Sequence, residues 1–427
     1  MSNAMHARSI EPEPKFDRRS LIVGGTLGLG LSLMPGGAGD QAAAAAEKKA
    51  DKKSTTDDKD FADRKRAYLR PLLYAREDLN LWLAARDYPF CKYDPELGYL
   101  HIDRDFKEGQ DGAICAYRYN RLDARRMIAC AEKPCRINTY GNSFTSCEQV
   151  SDGETWQEVL AAHLGEPIRN YGIGGYSVYQ AYLRMKREEK RAPARYVIVN
   201  IFDDDHFRNL LSWQRLRFGV NRKSPCPPIP YVKVDPDAGE FVERANPCPT
   251  PESLYRLCDL EGAMAVFDGD EVLDRKVRAN APQPKGTAIL PPSTDFDDAQ
   301  FARRCIYATT RVIEKIEEFA ASENRKVLYV LSYGAERIKK AVKDGRRFDQ
   351  ALVEFLDKRN LPYVDLMQAH LAEFKTFATD LDAYLARYYI GHYNPLGNFF
   401  CAFAIKDKLV KMLNPAPPAF APEVRNT

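Results

Sequence analysis

From residue 136 onward, the chain alternates short runs of β-branched and aliphatic residues with longer segments whose apolar positions recur at helical spacing. The short runs predict strands at Arg136–Tyr140, Ile168–Tyr171, Tyr196–Phe202, Lys326–Ser332 and Pro362–Leu366. The longer segments predict helices at Thr155–Leu164, Val178–Glu189, Ala299–Ser322, Phe348–Arg359 and Pro395–Leu413. Strands that alternate with helices form parallel sheets covered on both faces. The pattern therefore predicts an α/β fold, a flavodoxin-like three-layer α/β/α sandwich with about five parallel strands.

The alternation stops between Ser212 and Pro292, where 12 of the 27 prolines fall. Proline removes a backbone donor and interrupts helices, so residues 213–292 are predicted to be a loop-rich insertion. The insertion interrupts a predicted sheet domain that spans residues 136–414. Residues 61–135 precede it as an N-terminal extension, and residues 415–427 follow it as a C-terminal tail.

The first 46 residues are typical of an export signal. The opening MSNA resembles the remnant of an expression tag, and Arg18-Arg19 precedes an uncharged stretch rich in Gly and Leu that runs from Leu21 to Gly39. Paired arginines before a weakly hydrophobic segment predict a twin-arginine signal peptide. A membrane anchor is the alternative, but so many glycines make a poor spanning helix. The mature chain is then expected in the periplasm or outside a bacterial cell, after a disordered linker at residues 47–60 that lacks aromatic and large aliphatic residues.

Composition narrows the classes of function. With 44% hydrophobic and 11% aromatic residues, the chain has enough apolar material for a buried core. Its 63 Lys and Arg against 60 Asp and Glu give a net charge of +3, which argues against a nucleic-acid partner. No apolar run after residue 40 approaches the ~20 residues that span a bilayer, so no transmembrane segment is expected in the mature chain. Ten cysteines are too sparse for a disulfide scaffold, although Cys130 and Cys135 flank a turn compatible with a local disulfide.

Loops that follow parallel strands meet at one edge of the sheet, and two such loops carry suggestive residues. Ser143 stands in Gly141-Asn142-Ser143 directly after the first strand, where it is either a nucleophile or only a helix N-cap. The glycine-rich run Asn170–Ser177 follows the second strand and can bring backbone N–H groups close to a substrate. It lacks the GxGxxG spacing of a dinucleotide site, so no nucleotide cofactor is expected.

Two further loops carry acids and a histidine. Asp203-Asp204-Asp205-His206 closes the third strand, and such a run either holds a divalent cation or caps a helix. Consecutive side chains rarely all face one ion, so no metal or other cofactor is expected. His392 lies in a loop just before Pro395, which begins a predicted helix, and it is the best-placed general base in the chain.

Together these four loops resemble the sequence blocks of the SGNH/GDSL superfamily of ester hydrolases. That family carries its nucleophilic Ser in a Gly-Asp-Ser block after the first strand, where this chain has Gly141-Asn142-Ser143. The resemblance implies Ser143 as the nucleophile, His392 as the general base, and an oxyanion hole formed by Ser143, Gly175 and Asp204. It covers residues 136–206 and 299–413.

Three positions depart from the family pattern. Asn142 replaces the Asp of the first block. Asp204 replaces the Asn that donates to the oxyanion, and an ionised carboxylate only accepts hydrogen bonds. Asp204 then has to be protonated, turned away, or replaced by another donor. Ile390 stands where the family carries an acid upstream of the histidine, so a backbone carbonyl or a remote acid such as Asp380 or Asp382 is expected to orient His392.

The resemblance implies an exported serine esterase whose substrate is a small-molecule or polysaccharide ester, such as an O-acylated carbohydrate. The departures leave a second hypothesis, a catalytically impaired domain that binds glycan, and a close variant, a glycan O-acyltransferase. Cys147 is a rival nucleophile unless it is buried or disulfide-bonded. Tyrosines crowd the same loops and either stack on a sugar ring or pack internally: Tyr171, Tyr176, Tyr179, Tyr388, Tyr389 and Tyr393.

The export interpretation depends on the paired guanidinium groups of Arg18 and Arg19. We expect replacement of both by Lys to leave the precursor in the cytoplasm, as measured by fractionation and immunoblotting of the host cell. Lys15→Gln, outside the pair, serves as the control and should be exported normally. Normal export of the double variant would contradict the twin-arginine interpretation.

Overall fold

A computed structural model describes residues 58–84, 91–220, 226–279 and 298–421. The signal peptide expected at residues 1–46 and most of the linker expected at 47–60 lie outside the described residues. The last three linker positions, 58–60, begin a helical stretch that runs to residue 69.

Five parallel strands form the central sheet: β1 Ile137–Tyr140, β2 Arg169–Asn170, β3 Tyr196–Phe202, β4 Lys326–Ser332 and β5 Tyr363–Asp365. Their spatial order is β2-β1-β3-β4-β5. The register pairs Lys326 with Tyr196 and Ser332 with Phe202. The inner strands β3 and β4 are buried along almost their whole length, which explains their continuous apolar sequence. The predicted fold class, a flavodoxin-like three-layer sandwich, is confirmed.

Eight main helices cover the sheet: α1 Trp156–Leu164, α2 Val178–Arg191, α3 Ala299–Ser322, α4 Ala335–Asp344, α5 Gln350–Lys358, α6 Leu366–Phe374, α7 Leu381–Tyr388 and α8 Pro395–Met412. Helices α2 and α3 pack together, and α8 packs against α1 and α6. Helices α4, α6 and α7 were not predicted from the sequence. In α4 the reason is plain, because only Ile338 and Ala341 are buried and the apolar pattern is correspondingly sparse.

The extension before the sheet domain folds onto it. Its elements are the helical residues 58–69, helix Arg76–Leu83, hairpin Cys91–Asp94 with Gly98–His101, and hairpin Arg104–Lys107 with Ile114–Tyr117. Tyr99 donates a hydrogen bond to the carbonyl of Gly174 at 2.6 Å. The fully buried Arg125 donates to the carbonyls of Cys147 at 2.8 Å and Val150 at 2.5 Å. The extension therefore holds two loops at the carboxyl edge of the sheet.

The expectation that residues 213–292 are loop-rich is wrong for the part of that segment that the structure describes. It contains hairpin Tyr231–Asp235 with Glu240–Arg244, and helices Arg215–Phe218, Pro251–Leu254, Leu260–Val266 and Glu271–Arg278. Pro251 occupies the first turn of its helix, where the missing N–H costs nothing. Trp213 is fully buried and stacks on Phe267 at a ring distance of 5.0 Å. The described part of the segment is thus a packed subdomain.

Short elements complete the chain: helices Ser143–Ser146 and Asp205–Arg208, and 3-10 turns Arg70–Leu72, Gln110–Gly112, Asp152–Glu154, Tyr255–Cys258 and Pro418–Phe420. All ten cysteines are described as free thiols, so Cys130 and Cys135 do not form the local disulfide that their turn allows. No helix among the described ranges combines the length and apolar character needed to cross a membrane.

The packing of the subdomain predicts that a substitution in its core lowers the free energy of unfolding. Trp213→Ala removes a buried indole and leaves a cavity, so we expect it to lower the free energy of unfolding by about 3–5 kcal/mol. Val242→Ala, at a position 39% exposed, is the control and should change the free energy by less than about 0.5 kcal/mol. Urea denaturation followed by circular dichroism measures both. A small effect of Trp213→Ala would mean that the segment is not part of the cooperative core.

Candidate active site

The first loop presents Ser143 at the carboxyl end of β1. Asn142, not Ser143, is the N-cap of the short helix, since its side-chain oxygen accepts the backbone N–H of Phe144 at 2.7 Å. The hydroxyl of Ser143 is therefore not used for capping. Gly141 is required here by close approach, because a Cβ would lie 2.6 Å from the carbonyl oxygen of Asn200 and overlap the side chain of Thr145.

The second loop packs directly against the first. The side-chain amide of Asn170 donates to the carbonyl of Thr145 at 2.8 Å, and its oxygen accepts the N–H of Gly172 at 2.9 Å. Gly175 adopts a φ of +79°, and its carbonyl accepts a hydrogen bond from Gln214 at 3.1 Å. The structure thus brings the loops of Ser143 and Gly175 together.

Both loops contain backbone donors that remain available. The N–H groups of Phe144 and Tyr176 are taken by Asn142 and Ile173. The neighbouring N–H groups of Ser143 and Gly175 have no acceptor among the described residues. Unpaired N–H groups beside a serine are what an oxyanion hole needs.

The three acids of the third loop have different sets of partners. Asp203 accepts the N–H of Gly334 at 2.9 Å. Asp205 accepts hydrogen bonds from the side chain of Asn142 and from Arg208. Because the carboxylates diverge, they do not converge on one ion, and no group of three His, Cys, Asp or Glu in the described ranges is arranged for a metal.

Asp204 is ionised and held by two arginines. Its oxygens lie 2.6 and 2.8 Å from the guanidinium of Arg217 and 2.9 Å from Nε of Arg208. Burial opposes ionisation, but the two guanidinium groups outweigh it and lower the pKa of Asp204 to about 2. A carboxylate without a proton cannot donate, so a third oxyanion donor would have to come from another side chain.

The fourth loop carries His392 beside the first. The backbone N–H of His392 donates to Oε1 of Gln149 at 2.6 Å, and Nδ1 lies 3.3 Å from the same oxygen. The imidazole ring lies 5.1 Å from the ring of Phe144, the residue after Ser143. Asn394 caps α8 by accepting the N–H of Gly397 at 2.9 Å, which fixes where the loop ends.

Neither remote acid expected from the sequence is placed at His392. Asp380 caps α7 by accepting the N–H of Ala383 at 2.9 Å, and Asp382 forms an ion pair with Lys339. Both carboxylates are exposed on the surface. The nearest acid is Glu148, whose Oε2 lies 3.8 Å from Nε2 of His392.

Glu148 is held in a narrow space beside the second loop. A Cβ on Gly174 would overlap the Glu148 carboxylate, so this glycine makes room for it. Its Oε1 is buried, lies 3.7 Å from Arg104, and has no hydrogen-bond partner among the described residues. Sequence reasoning missed Glu148, Gln149 and Arg208. Gln149 and His392 are 243 positions apart, so no local spacing reveals the contact.

A cleft of about 530 Å³ opens beside this site. Its wall includes Phe202, Arg208, Ile390 and Gly391, so it reaches the residue before His392. A larger cavity of about 830 Å³ lies at the amino ends of β4 and β5 and contains none of the four loops. Parallel sheets bind ligands at the carboxyl ends of their strands, so the smaller cleft is the candidate substrate site.

Cys147 and the tyrosines have structural roles. The buried thiol of Cys147 lies 3.3 Å from Oε1 of Gln157, and burial raises its pKa to about 12, so it is not a thiolate. The tyrosines considered for sugar stacking are all buried, so they pack internally: Tyr171, Tyr176, Tyr179, Tyr388, Tyr389 and Tyr393.

Comparison with known proteins gives matches only among solved structures; no family model and no curated protein matches the chain. A candidate lipolytic protein of the G-D-S-L family from Desulfitobacterium hafniense is 11% identical, over 65% of this chain and 99% of that one, with a TM-score of 0.33. A GDSL-like lipase from Bacteroides thetaiotaomicron is 11% identical, over 66% and 90% of the two chains, with a TM-score of 0.30.

An acetyl xylan esterase from the rumen bacterium Butyrivibrio proteoclasticus is 10% identical, over 74% of this chain and 68% of that one, with a TM-score of 0.29. This chain is similar in structure to GDSL-type hydrolases. At these identities and TM-scores the likeness does not assign an activity to this chain.

The contact between Glu148 and His392 predicts a shift in the histidine pKa. Burial lowers the pKa of His392, the charges of Glu148 and Glu108 raise it, and Arg208 lowers it. Glu148→Gln removes a negative charge, so we expect the pKa of His392 to fall, as measured by NMR titration of the imidazole. Glu132→Gln, which removes an exposed carboxylate, is the control. An unchanged pKa in the Glu148 variant would mean that the two side chains are not close.

Proposed function

We propose that this chain is a serine ester hydrolase, with Ser143 as the nucleophile and His392 as the general base and acid. One observation carries the proposal. The loop that begins at Ser143 also supplies Gln149, which binds the backbone and ring of His392, and it leaves the N–H of Ser143 unpaired. These contacts support an arrangement in which one short segment brings nucleophile, base and oxyanion donor together.

The chemistry follows the order of proton transfers in such a site. Ser143 attacks the ester carbonyl carbon while His392 takes the hydroxyl proton, and the N–H groups of Ser143 and Gly175 stabilise the negative oxygen. His392 then returns the proton to the leaving alcohol, and water releases the acyl group by the reverse steps. A base has to be neutral before it accepts the proton, and burial favours this form by lowering the pKa of His392.

For the substrate, we propose an O-acylated carbohydrate whose ester bond the enzyme hydrolyses outside the cytoplasm. Arg18-Arg19 and the weakly hydrophobic stretch after it support export. The candidate cleft mixes charged groups, such as Asp203, Glu336 and Arg337, with apolar wall. Such a wall suits an alcohol rich in hydroxyl groups. If a sugar hydroxyl replaced water as the acceptor, the same site would catalyse glycan O-acyl transfer.

Removal of the nucleophile tests the proposal. We expect Ser143→Ala to abolish hydrolysis of a short-chain aryl ester and covalent labelling by a fluorophosphonate probe, while its circular dichroism matches the wild type. His392→Ala should cost a similar factor, because nucleophile and base act as one unit. Ser146→Ala is the matched control, since it removes a buried hydroxyl from the same short helix.

Two outcomes would contradict this function. Turnover that persists in Ser143→Ala would show that another group attacks the ester. If the wild type neither hydrolyses aryl or sugar esters nor reacts with the probe, but binds acylated glycan equally well with and without Ser143, the chain is a glycan-binding domain.

A further inference from the structure

The proposed hydrolase lacks a side-chain donor to the oxyanion at position 204 of its third loop. Two backbone N–H groups, of Ser143 and Gly175, are free to bind an oxyanion. The side chain at position 204 cannot add a third donor, because Asp204 is ionised between Arg217 and Arg208. A negative charge at this place would oppose a developing oxyanion unless a cation stands between them.

Two of the three guanidinium nitrogens of Arg208 are held by contacts with neighbouring acids. Its Nε lies 2.9 Å from Asp204, and its Nη1 donates to Asp205 at 3.0 Å. The side chain is only 12% exposed and its guanidinium carbon lies 5.9 Å from the centre of the Phe202 ring. Its Nη2 has no hydrogen-bond partner among the described residues, and Arg208 lines the candidate cleft.

The contacts of Arg208 connect it to both loops that carry the backbone donors. Nη1 lies 3.4 Å from the carbonyl of Tyr176, the residue after Gly175. Asp205, which accepts from Nη1, also accepts from the side chain of Asn142, the residue before Ser143. Arg208 is therefore in contact with the residue after Gly175, and it is linked through Asp205 to the residue before Ser143.

Arg208 also lies near the loop that carries the proposed base. Gly391, the residue before His392, belongs to the same cleft wall as Arg208. The charge of Arg208 contributes to lowering the pKa of His392, which places the two side chains within electrostatic reach of each other.

We propose that Arg208 is a catalytic residue whose Nη2 donates a hydrogen bond to the ester carbonyl oxygen and to the oxyanion formed from it. The inference rests on the proposed hydrolysis. As the Ser143 oxygen bonds to the carbonyl carbon, the C=O π electrons move to oxygen and the hydroxyl proton moves to His392. Arg208 stays protonated throughout. When the intermediate collapses, the C–O bond to the alcohol breaks and the alcohol takes the proton from His392.

A cation in this position explains the substitution at the third loop. The family places a neutral amide donor there, whereas this chain places a carboxylate that fixes the orientation of a charged donor. Charge-assisted hydrogen bonds are stronger than neutral ones, so the exchange of Asn for an Asp–Arg pair preserves the function of the loop.

The central test is Arg208→Gln, assayed with a short-chain aryl ester. We expect kcat to fall by about 10²–10³ with KM nearly unchanged, because the lost contact is strongest in the transition state. We also expect the acid limb of kcat/KM to move to higher pH. Glu148 and Glu108 still raise the pKa of His392 in this variant, and the opposing charge of Arg208 is gone. Arg303→Gln, which removes an exposed guanidinium from helix α3 outside the cleft, is the control and should leave both parameters within about threefold.

A second variant separates donation from simple neutralisation of Asp204. Asp204→Ala combined with Arg208→Gln removes the buried carboxylate together with one of its two cations. Because Arg217 also loses its ion pair with Asp204, circular dichroism of the double variant has to match the wild type before its rate is compared. If Arg208 donates to the oxyanion, the double variant stays as slow as Arg208→Gln. Recovery of the rate to near wild type would show that Arg208 only neutralises Asp204 and would overturn the proposal.

The outcomes distinguish this inference from the function on which it rests. A wild type without Ser143-dependent turnover overturns the hydrolase proposal. A wild type with such turnover, together with an Arg208→Gln variant whose kcat lies within about threefold of it, overturns the role of Arg208 alone.

Discussion

The hydrogen bonds of the Asp205 carboxylate connect the first and third loops, and the geometry of the candidate site depends on them. The carboxylate accepts hydrogen bonds from the side chain of Asn142 in the first loop, from the backbone N–H of Phe202 at 3.0 Å, and from Arg208 at 3.0 Å. Buried carboxylates are costly unless their acceptor sites are used, so this group holds its partners in place. The end of β3 and the turn that carries Ser143 are thereby fixed relative to each other.

The same logic explains the charges around the third loop. A run of Asp203, Asp204 and Asp205 would repel itself if the side chains shared one environment. The structure gives each carboxylate its own set of partners, although Arg208 binds both Asp204 and Asp205, and Asp204 receives two guanidinium groups. Burial raises the pKa of Asp203 and of Asp205 to about 7, whereas the two guanidinium groups lower the pKa of Asp204 to about 2. Asp204 thus differs in protonation from its two neighbours because its surroundings differ.

The first loop supplies polar contacts on two sides of His392. Arg125 binds the carbonyls that flank Glu148 and Gln149, so this turn is held rigidly. Gln149 fixes one side of His392 and Glu148 approaches the other at 3.8 Å. The N-terminal extension, which supplies Arg125 and Tyr99, therefore belongs to the site as well as to the fold.

The sequence by itself determined the sheet and the loops that follow its strands. Strand β3 and helix α3 begin and end where the apolar pattern places them. The spacing of apolar residues depends only on residues that are close in sequence, so it can be recognised without the tertiary structure. The rule for parallel strands then predicts that the loops of Ser143, Gly175 and Asp204 lie at one edge, whereas the loop of His392 follows a helix and was placed there only by the tertiary structure. Only the tertiary structure decided the partners of Asp204, the approach of Glu148 to His392, and the packed state of the proline-rich segment. The partner and charge of a buried side chain depend on which distant segments fold against it, and no local pattern carries that information.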